Sequence, residues 1–172
     1  MADSFDCGEQ QLNEFIRRYA VKHQGPHMFG VTYVALSSEV PDRILGYYTL
    51  ANSSISRDKM PEEVLKGLPK YSDIPAILIG RFAVDTAFSG RGVGHILMSH
   101  ALNMCLEASK LSAARYVLNL SYAGAVAWYK KYGFQEIPSQ ENPGHQKMFL
   151  DLAVVRRAQE MGMETLFTVK TG

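Results

Sequence analysis

Residues 77–94 read ILIGRFAVDTAFSGRGVG, and the helix formers HILMSHALNMCLEASKL follow at 95–111. A run of strand formers thus meets a run of helix formers across glycines at 80, 90, 92 and 94. Glycines at such a junction serve one of two ends. They allow a tight turn, or they keep the backbone bare for something that must come close. A strand, a Gly-x-Gly-x-Gly turn and a helix together form a device for binding phosphate, because a helix start exposes unpaired N–H groups and a partial positive charge. A dinucleotide fold asks for Gly-x-Gly-x-x-Gly and an acidic residue about 20 positions on. Here the glycines are two apart, and Glu107 falls inside the helix. A phosphate-cradling Gly-Lys-Ser/Thr is absent. From spacing alone, a turn and a binding loop remain open.

Outward from this junction the periodicity alternates between strand and helix. FDCGEQQLNEFIRRYAVKH (5–23) sets Leu12, Phe15, Ile16 and Tyr19 on one helical face. Asp6 and Glu9 have the spacing of a capping box at its start. VTYVAL and RILGYYTLANSSI read as strands joined by SSEVPD. Pro61, Gly67, Pro69 and Pro75 make residues 57–75 a surface connection with at most a short helix. AILIGRFAV, interrupted by Arg81, predicts a central strand covered on both faces. The helix after it, VGHILMSHALNMCLEASKL (93–111), carries a stripe of Val93, Ile96, Leu97, Ala101, Met104 and Ala108. ARYVLNLS is a strand, AGAVAWYKKYG a helix ending at Gly133, and FQEI and KMFLDL are closing strands around PSQENPGHQ. AVVRRAQEM is a last helix. The order predicts one α/β (α+β) domain over residues 1–172, a mixed central sheet with helices on its faces.

Bulk properties narrow the function classes. The 172-residue chain is long enough for a real core, and no apolar run approaches the roughly 18 residues of a membrane span. MADSFDCGEQ has neither a basic region nor an apolar stretch, so a reduced, cytoplasmic protein is expected. Cys7 and Cys105 are too few for a disulfide framework and lack metal spacing. His23 and His27 are four apart, but Gly25 and Pro26 break the helix that a paired metal site needs. No metal is expected. A net charge of +1 gives no compositional sign of nucleic-acid binding. Arg17, Arg18 and Lys22, with Lys130 and Lys131, read first as solvated helix faces.

Four stretches in order, FDCGEQQLNEFI, GYYTL, ILIGRFAVD running into GRGVG, and WYKKYGF, carry a resemblance to the GNAT superfamily of acetyl-CoA-dependent N-acetyltransferases. GRGVG and a late Tyr-x-x-x-Gly-Phe are shared across that superfamily. FDCG and GYYTL resemble more particularly the GNAT toxins of bacterial toxin–antitoxin pairs. The likeness covers residues 4–151, with an extension after Asp151.

The resemblance implies a GNAT fold and a role for each matching position. Gly90, Arg91, Gly92, Val93, Gly94 and His95 match the turn that holds the pyrophosphate of coenzyme A. Phe82, Ala83 and Val84 match the strand whose N–H groups hold the pantetheine arm and polarise the thioester carbonyl. Tyr129 matches the general acid that protonates the departing sulfur. A phenol with pKa about 10 is protonated at neutral pH, while a thiolate with pKa about 8.5 needs a proton. Tyr132, three residues on, marks the alternative of a plain core aromatic. Asn119 stands where relatives contact the pantetheine arm, though a strand-end asparagine can equally satisfy its own turn. Arg81 is a candidate for acceptor or phosphate contact, or a snorkelling or ion-paired arginine.

No strong general base stands out. An α-amine with pKa about 7.7–8.0 is partly neutral already, unlike a lysine at about 10.4. That favours an α-amine acceptor and fits the toxin branch, where aminoacyl-tRNA is acetylated and translation stops. A homodimer neutralised by a ribbon-helix-helix antitoxin is implied as well. The alternatives are an acetyltransferase acting on a protein N-terminus or small amine, and a catalytically weak acetyl-CoA-binding module. Three departures stand out. Only Met1–Ser4 precede FDCG where relatives have a strand, Ser89 replaces a frequent Arg or Gln, and Trp128 replaces a common Phe.

Overall fold

The computed structural model describes residues 2–138 and 144–162. Its strands are β1 (Val31–Ala35), β2 (Gly46–Ser56), β3 (Asp73–Val84), β4 (Tyr116–Tyr122), β5 (Gln135–Glu136) and β6 (His145–Asp151). They form one six-stranded sheet in the order β1-β2-β3-β4-β6-β5. The pairs β1–β2, β4–β6 and β5–β6 are antiparallel. The helices are α1 (Gln10–Glu14), α2 (Ala20–Gln24), α3 (Glu62–Leu65), α4 (Val93–Leu111), α5 (Val126–Lys130) and α6 (Leu152–Glu160). The mixed α/β architecture expected from the sequence is the one the chain adopts. No helix among the described residues is long and apolar enough to cross a membrane. The middle of PSQENPGHQ and the end of the extension past α6 lie outside the described residues.

The chain divides into two compact units. The first holds residues 2–51 and Ile79–Leu102, the second Asn52–Leu78 and residues 103–162. In the first, Phe5, Phe15, Ile16, Ala20, Ile44, Tyr47 and Ala83 form a buried cluster. Aromatic pairs join its strands: Tyr33 on β1 lies opposite Tyr48 on β2, their rings stacked 5.0 Å apart. The Tyr48 hydroxyl and His100 Nδ1 are 2.7 Å apart.

The start of this unit differs from expectation in two ways. Asp6 and Glu9 do not form a capping box. Glu9 is the residue before α1 and makes no side-chain cap. The Asp6 carboxylate instead accepts from Gly8 N (2.9 Å) and Asn13 Nδ2 (2.7 Å), because Gly8 at φ +84° turns the chain back before the helix begins. The second difference is a π turn over Phe15–Tyr19, between α1 and α2. Its wider winding shifts the helical phase, so Ala20 is buried while Tyr19 is 43% exposed.

The second unit is built around Ile55, Met60, Ile74, Ala76, Tyr116, Leu118, Ile137 and Phe149. The Tyr116 ring meets Phe149 edge-on at 5.4 Å, and its hydroxyl donates to the Val64 carbonyl at 3.0 Å. The connection at 57–75 contains a 3-10 turn (Arg57–Lys59) and α3, held by Arg57 donating to the Pro69 and Leu65 carbonyls. At the far end of β4, Arg115 pairs with Asp151 at 2.6 Å.

Helix α4 has the bounds read from its sequence, but its buried face is rotated. Val93, Leu97, Met98, Ala101, Leu102, Cys105 and Leu106 are buried, whereas Ile96 is 47% exposed and Ala108 lies outside. A helix this rich in apolar residues offers more than one stripe. Packing, rather than periodicity, chooses between them.

Candidate functional site

In the first unit the candidate residues run along β3, through a turn and into α4. Asp85 ends the strand and is 1% exposed. Its Oδ1 accepts from Ala87 N at 2.9 Å, capping the 3-10 turn Thr86–Phe88. Its Oδ2 accepts from Asp6 N at 3.2 Å and from Arg43 Nη2 at 3.1 Å. Thr86 donates through both N (2.8 Å) and Oγ1 (3.1 Å) to the Asp6 carbonyl. One buried carboxylate therefore ties the chain start, Arg43 and the entry to the glycine turn together. In the sequence Asp85 is an aspartate closing an apolar strand, and its partners Asp6 and Arg43 stand 79 and 42 residues away. Asp85→Ala leaves these donors unpaired and is expected to destabilise the fold by about 2–4 kcal/mol. Denaturant titration checks this, and a loss below about 0.5 kcal/mol, the level of ordinary surface changes, would contradict it.

Gly90 and Gly92 have φ of +74° and +83°. Only glycine enters that region without strain. No atom lies within 4 Å of a β-carbon placed on either, so close packing does not require them. They serve the turn and leave open space beside it. The Ile96 N–H donates to the Gly92 carbonyl at 3.1 Å. Val93, Gly94 and His95 are thus the first-turn residues, whose N–H groups an α-helix does not pair internally. Val93 is buried, Gly94 half-buried and His95 exposed. Arg91 is exposed, with its guanidinium 5.7 Å from the Phe88 ring centre.

The strand leading here is not covered on both faces as expected. Ala83 is buried, but Phe82 and Val84 are half-buried and Gly80 is exposed. The apolar run in AILIGRFAV therefore serves a surface left partly open at its C-terminal end. Phe82 stacks on Tyr48 at 6.5 Å. The Arg81 guanidinium lies 3.8 Å from the Phe15 ring centre, a cation–π contact.

In the second unit, β4 and α5 bring Asn119 and Tyr129 together. Tyr129 is 5% and Asn119 4% exposed, and Asn119 Nδ2 donates to the Tyr129 hydroxyl at 3.4 Å. The Tyr129 ring meets Trp128 (5.1 Å) and Phe134 (5.5 Å) edge-on. Burial pushes its proton loss well above the usual phenol range, with the Asn119 hydrogen bond a smaller, opposing influence. Tyr132 is only half-buried and packs against Trp128 at 4.8 Å. The two tyrosines, three residues apart, thus occupy different environments.

This unit also contains an open cavity. It has a volume of about 450 Å³, with Ile55, Leu78, Leu118, Leu120 and Ile137 among its walls. Asn119 also lines it, and Lys59 and Lys147 stand among its polar contributors with Ser53 and Ser54. Leu120, one of its walls, is 39% exposed. Its partners come from β2, β3 and β6, which no local pattern links.

His23 and His27 face each other at 6.3 Å, and no group of three or more His, Cys, Asp or Glu among the described residues could hold a metal. The Cys105 thiol is pushed up to about 12 by burial, far from a reactive thiolate. Arg17 donates to the Phe5 carbonyl, Arg18 pairs with Glu14 and Lys130 with Glu136.

Comparison with known proteins bears on what these elements are for. Residues 30–136 match the family model described as an acetyltransferase (GNAT) domain. A tRNA-acetylating toxin of Mycobacterium tuberculosis (strain ATCC 25618 / H37Rv) is 29% identical over 137 residues, 79% of each chain. The solved structure of AtaT complexed with acetyl-methionyl-tRNAfMet is 27% identical, with TM-score 0.81 over 92% of both chains. A mutant AtaT bound to the C-terminus of the antitoxin AtaR and acetyl-CoA is 26% identical, with TM-score 0.73 over 98% of this chain and 91% of that one. With the model spanning more than half its length and the strand, glycine turn and helix in place, the chain belongs to the GNAT acetyltransferase family.

Proposed function

We propose that the protein transfers acetyl from acetyl-CoA to the α-amino group of aminoacyl-tRNA, blocking peptide-bond formation and so acting as a toxin. The observation that carries this reading is the buried Tyr129 phenol, held by the Asn119 amide and kept protonated by its surroundings. The choice of acceptor is supported by the likeness to a tRNA-acetylating toxin and to AtaT complexed with acetyl-methionyl-tRNAfMet. Acetyl-CoA as donor is supported by the family and by the AtaT complex that contains it.

In this reading the backbone of Gly90, Arg91, Gly92, Val93, Gly94 and His95 holds the pyrophosphate. The open space at Gly90 and Gly92 and the start of a 19-residue helix suit an anion there. The N–H groups of Phe82, Ala83 and Val84 hold the pantetheine arm and the carbonyl oxygen, on a strand end whose exposure leaves room for them. The amine nitrogen bonds to the acetyl carbon, the carbon–sulfur bond breaks, and Tyr129 gives its proton to the sulfur. The proton lost by the amine restores the phenol. Asn119 positions that phenol through its amide.

The pH dependence follows from these groups. Transfer is expected to rise as the amine loses its proton near pH 7.7–8.0, then stay level to about pH 10, because burial keeps Tyr129 protonated past its ordinary range. A rate that falls between pH 8 and 10 in step with tyrosine ionisation would contradict this. For stability the sign is the same. Burial of the neutral phenol stabilises fully below about pH 10, the unfolded value, and this is lost as pH rises from there through the raised folded value.

Residues 4–151 are read as one catalytic domain, with β2 and β3 each running through both compact units. The protein acts in the cytoplasm as a homodimer, neutralised by a ribbon-helix-helix antitoxin. An antitoxin partner is supported by the AtaT complex with the AtaR C-terminus. A self-contact is supported by the exposed apolar Phe29, Val31, Val34 and Leu36. The net charge of +1 favours a second reading, acetylation of a protein N-terminus or small amine. Cell-free translation separates the two. Arrest that requires both the protein and acetyl-CoA supports the tRNA reading, and undisturbed synthesis with acetyl-CoA present overturns it.

A further inference from the structure

We infer that Phe88 is a positioning residue for the acyl donor: its ring seats the Arg91 guanidinium at the lip of the glycine turn, for use by the donor's phosphates. This rests on the reading that the turn holds the pyrophosphate. It is independent of which amine accepts the acetyl group.

Two guanidinium groups converge on this one ring. The guanidinium carbon of Arg43 lies 5.1 Å from the ring centre and that of Arg91 5.7 Å. Both fall within the roughly 6 Å reach of a cation–π contact. Arg43 comes from the chain just before β2, and Arg91 from the turn itself. Like charges gathered at one ring repel unless something answers them. Asp85 answers Arg43: its side chain, 2% exposed, pairs with Nη2 at 3.1 Å. The Arg43 Nε is buried without a hydrogen-bond partner, so the carboxylate and the ring are what hold that group. Arg91 is exposed and has no ion pair among the described residues. Its charge is left uncompensated.

The ring is fixed by the same aspartate. Phe88 ends the 3-10 turn that Asp85 caps, and its N–H donates to the Asp85 carbonyl at 2.9 Å. The Arg91 N–H in turn donates to the Phe88 carbonyl at 3.4 Å. A half-buried ring held in this way is a rigid seat for a long side chain. A guanidinium resting on an aromatic face keeps the N–H donors along its edge free, and those donors match a phosphate two at a time. A loose arginine loses much rotamer freedom when it grips an anion, and one already seated loses less. Beside it, Gly90 and Gly92 leave open space. An unanswered charge, a rigid seat and open space together suit a phosphate-bearing donor.

Affinity for acetyl-CoA and for S-acetylpantetheine, which carries no phosphate, separates this role from general support of the fold. Phe88→Leu keeps apolar bulk and loses the ring face. It is expected to weaken acetyl-CoA binding by about 3- to 30-fold and to leave S-acetylpantetheine binding unchanged. Phe88→Tyr keeps the face and should bind acetyl-CoA within about twofold of the wild type. In an Arg91→Ala protein, Phe88→Leu should cost nothing further, because the ring acts through that arginine. Arg91→Lys is an exposed change that keeps the charge without the flat group, so it tests the idea even where Phe88→Leu does not fold. It should weaken acetyl-CoA binding by about threefold or more. Wild-type acetyl-CoA affinity in either folded variant, or an equal loss for both donors in Phe88→Leu, overturns the proposal. Where Gly92→Asp still weakens acetyl-CoA, the pyrophosphate reading stands without it. Where Gly92→Asp also binds normally, both fall.

Discussion

Tyr129→Phe is expected to lower acetyl transfer by about 100- to 10,000-fold while leaving acetyl-CoA affinity nearly unchanged. The substitution removes one oxygen and keeps the ring that packs edge-on against Trp128 and Phe134. The fold therefore keeps its apolar contacts. It loses the hydrogen bond from Asn119, worth about 0.5–1.5 kcal/mol. On the proposed reading, what disappears is the proton given to the departing thiolate. Tyr132→Phe is the matching control, because that side chain is half-buried and packs on Trp128. Its effect on rate should be small. Single-turnover transfer, with acetyl-CoA binding measured separately, distinguishes lost chemistry from lost binding. An unchanged rate in Tyr129→Phe would remove Tyr129 as the acid.

The second large effect is expected at the glycine turn. Gly92→Asp should weaken acetyl-CoA binding by about 100-fold or more. Two costs combine. The backbone at φ +83° strains a residue with a β-carbon by about 1–2 kcal/mol. A carboxylate near a bound pyrophosphate also repels it, by about 4 kcal/mol per pair of unit charges at 4 Å and an effective dielectric near 20. Gly92→Ala separates them. Its methyl group meets nothing within 4 Å in the protein, so it carries the strain without the charge. Calorimetric titration should show Gly92→Ala with a modest loss and Gly92→Asp with a severe one. Wild-type affinity in Gly92→Asp would overturn the assignment of this turn to the pyrophosphate.

What the sequence disclosed depended on how local each feature is. The strand, glycine turn and helix of residues 77–111 could be placed because their signals lie within a few residues of one another. The same holds for Tyr129 and Asn119 as individual candidates, since a motif of seven residues and a short strand carry them. The capping box failed because Gly8 at φ +84° reverses the chain between Asp6 and the helix, and two residues at the right spacing do not show such a reversal. The stripe on α4 was misplaced because nearly every candidate position there is apolar, so the sequence contains two faces and tertiary packing selects one. Asp85 and the cavity walls were out of reach for a different reason. Asp85 meets Asp6 and Arg43 across separations of 79 and 42 residues, and the cavity draws from four strands and the loop beyond β5. Those pairings exist only once the sheet has formed.

The most direct measurement is transfer of labelled acetyl from acetyl-CoA to a pool of charged tRNA, followed by mild hydrolysis and identification of the released product. Labelled N-acetyl-amino acid from the wild-type protein, absent when Tyr129→Phe is used, is the expected result. Protein that binds acetyl-CoA yet leaves the charged tRNA unlabelled would contradict it.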